Sequence, residues 1–292
     1  MSREQKLRWG VEQRLEFIEF RLFWEGGVRR SDIIGFFGIS VPQASKDFTQ
    51  YQKLAPENVR YNLSEKRYLT TDSFKPRFLK PDADRYLAQI TPATNFSFLP
   101  VEGHKWLANP PSVDVMPVPH RRIDVTILQK ILNTIRASTS VEILYQSMNK
   151  KRPEPIWRRI TPHAFGSDGF RWHVRAFCHI DDKFKDFLLS RISCVQKQAE
   201  PGKLGAQDYD WNNSFKVVLV PNPKLEEKQQ EVIAQDYKMQ DGSVSIEVRR
   251  ALLYYFYKRL RLDVADKPDD PGGIPVIAEN LLELEAIILE KD

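Results

Sequence analysis

Eight prolines fall between residues 75 and 120: Pro76, Pro81, Pro92, Pro100, Pro110, Pro111, Pro117 and Pro119. A proline ring removes a backbone donor and blocks helix continuation, so this density excludes one long helix and reads as a connector between separately folded parts. Only residues 82–90 are expected to make a short helix within it. Before the connector, apolar residues recur at helical spacing. After it, an Ile123, Ile127, Ile131, Ile135 repeat predicts a helix, and beyond residue 141 the period falls to two. Two periodicities on either side of a proline-rich stretch make the expected class α+β and multidomain, and 292 residues suit two or three domains.

In the first part, Val11, Leu15, Ile18 and Leu22 form a helical stripe, widened by Phe17, Phe20, Phe23 and Trp24 and stopped at Gly26-Gly27. Ser31-Asp32 are expected to cap a short second helix, with Gly38 as its stop. Ser40 then opens a third helix with Pro42 in the first turn, where a missing N–H costs nothing. A short helix, a Gly-containing turn and a capped helix are the helix-turn-helix pattern. Val41, Ala44, Phe48 and Tyr51 share one stripe of the third helix. The other side offers Ser40, Pro42, Gln43, Ser45, Lys46, Thr49, Gln50 and Lys53. Amides, hydroxyls and lysines are groups that reach base edges and phosphates from a major-groove helix. Gln43 has a second expected use, as the partner of Ser40 in a capping box. Residues 58–71 read as a β-hairpin around a polar turn at 64–66. Directly behind a recognition helix such a hairpin is a wing, presenting Arg60, Lys66 and Arg67 to duplex DNA.

Charge is distributed unevenly. Residues 1–80 carry 15 Lys+Arg against 10 Asp+Glu, residues 120–200 carry 15 against 8, and residues 201–292 carry 12 against 17. Two basic blocks point to polyanion contact, and scattered solvated cations are the other reading. Within the second block, 141–147, 157–163, 171–178 and 187–192 read as four strands, with turns at 149–155 and 166–169. Alternation puts Arg159, Thr161 and His163 on one face of the second strand, and His173, Arg175 and Phe177 on one face of the third. Arg159, His163, His173, Arg175 and Arg191, with Tyr145 and Ser147, form the expected effector site. Guanidinium forks, hydroxyls and stacking rings suit phosphate and bases. The set has no acid-base pair, no nucleophile pair and no metal spacing, so no catalytic residue, metal or cofactor is expected.

Trp172-His173-Val174 stands where the WYL domain has its name triplet. It is preceded by Arg159-Ile160-Thr161-Pro162-His163 and followed by Phe187-Leu188-Leu189-Ser190-Arg191-Ile192. With the helix-turn-helix stretch GISVPQASKD from Gly38 to Asp47, the chain resembles WYL-domain transcriptional regulators, and most of all the BrxR/CapW type associated with bacterial anti-phage defence islands. His173 departs from the family's Tyr. The resemblance implies an Sm-like β-barrel or sheet in the middle, a nucleotide or oligonucleotide effector, and a homodimeric repressor on a double-stranded, inverted-repeat operator. The expected division is a winged helix-turn-helix over 1–75, a Pro-rich connector and linker helix over 76–130, a ligand-sensing WYL-like domain over 131–205, and a C-terminal α+β dimerisation domain over 206–292.

In that last part, strands are expected at 215–220, 243–248 and 275–278 and helices at 224–237, 249–262 and 281–289. Leu252, Leu253, Tyr255, Phe256 and Leu260 are its expected core. The longest apolar run, 251–257, is too short for a membrane span, residues 1–6 show no secretory signal, and two cysteines exclude a disulfide framework. The compartment expected is the cytoplasm. An RNA or single-stranded DNA adaptor, and a nucleic-acid-processing enzyme built on Asp181-Asp182, are the alternatives. A gel shift with DNA upstream of the gene separates the repressor from both.

Overall fold

The computed structural model describes residues 9–90, 106–116, 119, 121–148, 153–264 and 271–290. The first six residues, Pro92, Pro100, Pro117 and the 149–152 part of the first expected turn lie outside the described residues. The chain divides into two compact units, Met1–Val118 and Pro119–Asp292.

The first unit begins with α1 (Trp9–Glu25), β1 (Gly27–Val28), α2 (Arg30–Phe37) and α3 (Val41–Leu54), followed by β2 (Val59–Asn62), β3 (Arg67–Thr70) and α4 (Ala83–Ile90). Leu15, Ile18, Leu22, Ile33, Ala44, Phe48 and Tyr51 form one buried core, as the helical stripes predict. Val41 is the exception: it is exposed, because the first residue of α3 precedes the turn that packs inward. The cap of α2 also differs from the expectation. Arg29 is the N-cap residue, and Asp32 acts from the third helical position, accepting the Arg29 N–H at 2.8 Å. Gly38 ends that helix at φ 62°. The expected hairpin is β2 with β3, and β1, too short to show periodicity, adds a third strand in the order β1-β3-β2.

Part of the connector packs on this unit. Buried Glu19 of α1 accepts the N–H groups of Arg77 (2.9 Å), Phe78 (2.6 Å) and Leu79 (2.7 Å). Glu25 accepts those of Ala108 and Asn109 at 2.7 and 3.2 Å, and Trp106 packs among Phe17, Phe20 and Phe36. The sequence signal, proline density, reports what cannot be a helix and is silent on backbone donors that find a carboxylate.

The second unit opens with α5 (Val125–Ala137), capped by Asp124, which accepts the N–H groups of Thr126 and Ile127. Five antiparallel strands follow: β4 (Ser140–Tyr145), β5 (Ile156–Ser167), β6 (Trp172–Cys178), β7 (Lys183–Leu188) and β8 (Ile192–Ala199). Their order is β7-β6-β5-β4-β8. No hydrogen-bonded pairing between β7 and β8 is found among the described residues, so the sheet is open rather than a closed barrel. The expected fourth strand at 187–192 is instead the end of β7, a 3-10 turn over Leu189–Arg191 and the start of β8. Ile127 and Ile131 pack on the face carrying Val141, Ile143, Ile160, Val174 and Ala176.

After a short α6 (Tyr209–Asn212) come β9 (Ser214–Pro221), α7 (Glu227–Asp236), β10 (Val244–Arg249), α8 (Leu253–Arg259), β11 (Val276–Ala278) and α9 (Leu281–Leu289), with sheet order β10-β9-β11. The expected helix over 249–262 is broken: a 3-10 turn over Arg250–Leu252 precedes α8, which stops at Leu260. Leu253 and Tyr257 are buried in this module's core, and Leu252, Phe256 and Leu260 pack against it. Tyr255 is not among them; it turns toward the five-stranded sheet.

Candidate nucleic-acid interface and effector face

Ser40 caps α3, its hydroxyl accepting the Gln43 N–H at 3.4 Å. Gln43 does not reach back to complete a capping box. Its amide donates forward to Asp47 at 2.9 Å, a carboxylate that is buried and gripped by Arg14 at 2.7 Å. Burying Asp47 on the core side of α3 is possible only because both partners arrive with it. Pro42, Lys46, Thr49 and Lys53 are exposed, and Ser45 and Gln50 are half-buried. Thr49 spends its hydroxyl proton on the Ser45 carbonyl, at 2.9 Å. Lys46, Gln50 and Lys53 have no side-chain partner among the described residues. An exposed helix face carrying two free ammonium groups and a free amide is what base-edge and phosphate contact needs.

On the wing, Arg60 and Lys66 are exposed, the latter at the hairpin turn with φ 50°. Asn62 shapes that turn by accepting the Ser64 and Glu65 N–H groups. Arg67 behaves differently. Its guanidinium folds back to the Glu25 carbonyl at 3.3 Å, over Gly27, where an added Cβ would stand 2.3 Å from Nη2. Arg67 thus braces the wing base. Sequence reasoning missed Arg29 and Arg30, both exposed at the start of α2 and bordering one recess with Ser31, Tyr61, Glu65 and Lys66. Their adjacency to Ser31 was the available signal.

In the second unit the expected effector residues separate. Arg175 donates from Nε and Nη2 to the two oxygens of Asp208, at 2.8 and 3.1 Å, and His163 Nε2 lies 2.9 Å from the same carboxylate. His163 joins this face as the extra residue of a β-bulge: Pro162 pairs with Ala176 and Ala164 with Arg175, leaving His163 between them. His173 is buried, 3.4 Å from Asp168 and 3.4 Å from the Tyr255 hydroxyl. Arg159 lies beside Glu142 (2.9 Å) and Ser140 (3.3 Å), not with Arg175. Tyr145 stands on the opposite face, in the core with Val141 and Ile143, its hydroxyl accepting the Leu188 N–H at 3.3 Å. Ser147 lies in the coil after β4. Arg191 sits in the 3-10 turn, its guanidinium unpartnered among the described residues.

The basic face is therefore covered, not solvated. Residues 202–212 run over it closely enough that a Cβ on Gly205 would meet the His163 ring at 2.8 Å. Burial alone would raise the Asp208 carboxyl, but hydrogen bonds from His163 and Arg175 and the Arg175 charge outweigh it and hold it well below the usual carboxylate range. Burial pushes the His173 imidazole down, against the pull of Asp186 and Asp168. A further cation escaped the sequence reading. Arg158 is buried on the α5 side of the sheet, over the Tyr145 and Phe187 rings at 5.8 and 5.4 Å and 3.3 Å from Asp181. Of the two carboxylates considered for catalysis, Asp181 is thus an ion-pair partner of Arg158, and Asp182 lies 3.4 Å from Lys203. Among the described residues no group of three or more His, Cys, Asp or Glu could hold a metal ion, and no helix is long and apolar enough to cross a membrane.

A three-helix unit with a wing, followed by a small antiparallel sheet and an α+β module, defines a multidomain winged-helix regulator. Residues 10–92 match the BrxR transcriptional regulator winged helix-turn-helix domain, 126–197 the WYL domain, and 214–284 the BrxR transcriptional regulator C-terminal dimerization domain. A DNA-binding transcriptional repressor CapW of Escherichia coli is 38% identical over 290 residues, and that of Pseudomonas aeruginosa 39% over 284; each comparison covers 97% of this chain and 94% of the relative. The Stenotrophomonas maltophilia CapW is 37% identical over 289 residues, with the same coverage. The chain belongs to the BrxR/CapW family of WYL-domain transcriptional regulators. Proteasome accessory factor B/C of Arthrobacter aurescens, a solved structure, aligns with 96% of this chain and 46% of its own length at 14% identity and TM-score 0.31, which carries no structural argument.

Proposed function

We propose that this chain is a cytoplasmic DNA-binding transcriptional repressor of a phage-defence operon. It acts as a homodimer on an inverted-repeat operator, and its middle sheet responds to a nucleotide or oligonucleotide effector. The observation that carries the reading is the exposed face of α3, where Lys46, Gln50 and Lys53 are unpartnered, set behind a wing with exposed Arg60 and Lys66. The curated relatives named as DNA-binding transcriptional repressors support it. One recognition helix spans only a few base pairs, so two-fold pairing through the C-terminal module, matched to a dimerization domain, supplies the length of a specific site. In this reading residues 1–75 contact DNA, 76–130 connect, 131–205 sense and 206–292 dimerise, and the protein acts by binding, not catalysis.

The test is fluorescence anisotropy of the full chain with duplex DNA from upstream of its gene and with a scrambled duplex, titrated across salt. Preference for the upstream DNA by 10³-fold or more is expected, a ratio typical of specific binders. Equal affinity for both would overturn sequence-specific repression. Response to an effector is tested by adding short single-stranded oligonucleotides: release of the operator is expected, and no release by any of them counts against sensing.

A further inference from the structure

We infer that Asp208 is an internal stand-in for a phosphate group, occupying the site that an anionic effector must take and coming off when it does. The inference rests on the effector reading above and adds what the ligand displaces. The Asp208 carboxylate sits in a complete anion cradle. Arg175 grips it with a two-pronged fork (2.8 and 3.1 Å), His163 approaches at 2.9 Å, and the Trp211 N–H donates at 3.2 Å. Fork geometry of this kind fits a carboxylate and a phosphate equally. Three of the four donor contacts come from two residues of the sheet, Arg175 on β6 and His163 on β5. The acceptor comes from outside it, on the short segment between β8 and β9.

The segment also meets the sheet through the Gly202 N–H on the Thr161 hydroxyl (2.8 Å), Asp210 at 3.9 Å from Arg175 and the Trp211 ring edge-on to His163 (5.9 Å), but only Asp208 fills the Arg175 fork. Asp208 caps α6, and α6 leads directly into β9, the central strand of the C-terminal module. A second contact of the same kind lies one residue pair away. Asp186 of β7, opposite Arg175 in the ladder, takes Arg175 Nη1 at 3.3 Å and the hydroxyl of Tyr255, from α8, at 3.2 Å. Arg175 thus ties the linker to the sheet through Asp208, while α8 is held by Tyr255 on two sheet residues, His173 and the Asp186 to which Arg175 also donates. A phosphate group carries more charge and more acceptor oxygens than a carboxylate. Bound at Arg175 and His163, it evicts Asp208 and loosens the start of the C-terminal module, and by reciprocity anything that holds Asp208 down opposes the ligand. Free phosphate and the phosphate of a nucleotide present the same chemistry here, so both are tested.

The experiment uses the full-length chain as wild type, Asp208→Asn and Asp208→Asn/Arg175→Gln, with two probes, inorganic phosphate and a 5′-phosphorylated thymidine dinucleotide, measured by calorimetry and by thermal unfolding. Removing the internal competitor is expected to tighten binding tenfold or more in Asp208→Asn, and the second substitution to abolish the gain. Tightening for the dinucleotide alone assigns the site to nucleotides; tightening for both assigns it to phosphate as such. Asp208→Asn is also expected to melt lower in chloride and to recover in phosphate at equal ionic strength, a readout that serves even where the variant folds poorly. Equal affinity in wild type and Asp208→Asn, with no recovery in phosphate, overturns the displacement while leaving an effector site intact. Absence of binding to any form of the protein overturns both.

Discussion

The Tyr51 hydroxyl donates to the Glu19 carboxylate at 3.1 Å, so the third helix and the folded-back connector share one buried acid. Burial holds the Tyr51 phenol far above its ordinary range, and the neighbouring Glu19 charge adds to this. Burial and the Glu19 charge thus both favour the phenol as the hydrogen-bond donor of this pair.

Tyr51→Phe removes one of several donors to Glu19 and is expected to cost about 1 kcal/mol. Glu19→Ala orphans the N–H groups of Arg77, Phe78 and Leu79 together and is expected to cost about 3 kcal/mol or more. Urea unfolding followed in the aromatic signal of the first unit compares them. Equal losses would mean that the clamp on residues 77–79 contributes nothing.

Lys46→Ala and Gln50→Ala are expected to weaken operator binding by about 1 to 3 kcal/mol each wherever they meet a base edge, with unchanged folding. Gln43→Ala is expected to act differently, because its amide is already committed to Asp47: a stability loss of about 0.5 to 1 kcal/mol with a smaller effect on sequence preference. Anisotropy against operator and scrambled duplex, paired with melting curves, distinguishes the two patterns. Unchanged affinity in both Lys46→Ala and Gln50→Ala would transfer DNA reading to another surface.

On α9, Leu282, Ala286 and Leu289 are exposed at spacings of four and three, an apolar stripe on the outer side of the C-terminal module. Leu282→Asp with Leu289→Asp is expected to shift the chain from dimer to monomer at micromolar concentration and to shorten its footprint to one half-site. Sedimentation and footprinting read both. A dimer of undiminished stability would move the seam elsewhere.

Acid should loosen the second unit in two stages. His173 has a folded pKa depressed below the free value of about 6.5, so the unfolded chain takes up the proton first; the stability is present above that value and is lost as pH falls through it. Asp208 and Asp181 are likewise depressed: burial works against the charged form, and their Arg, His and Lys partners outweigh it. Their contribution is present above about pH 4 and disappears below it. Denaturation midpoints between pH 3 and 8 should fall in both intervals, and His173→Gln should reduce the upper fall only, leaving the share of His179, whose imidazole is also pushed down by burial and by Arg159. A flat profile from pH 7 to 5 in the wild type would contradict the buried neutral imidazole.

Most helices of both units and the hairpin were legible in the sequence because their apolar spacing repeats over two or more turns or pairs; the four-residue α6 and the 3-10 break before α8 were not. Gly27–Val28 was not, since two residues have no period. The split of 187–192 was hidden for a related reason: the 3-10 turn over Leu189–Arg191 is only three residues long and is flanked by buried Leu188 and Ile192, so the run keeps the look of one strand. The recognition face of α3 was readable from residue types alone, except that Gln43 and Arg67 were already engaged. The middle site was least legible. Alternation put His163 and Arg175 on one face, but nothing local announced that Asp208, 33 residues beyond Arg175, would close over them.

The supernumerary residue in β5 gives His163 an unusual genetic standing. Thr161 pairs with Phe177 and Ala164 with Arg175 on either side of it, so in-frame loss of this one codon would leave both pairs opposite each other and Phe165 still facing the core. The strand would merely become regular. Loss of a codon from the unbulged stretch before Thr161 would instead throw the residues on one side of the gap onto the wrong faces. His163 is thus a detachable letter in an otherwise fixed word, and a lineage can gain or shed this hold on Asp208 by a single triplet indel without rewriting the core beneath.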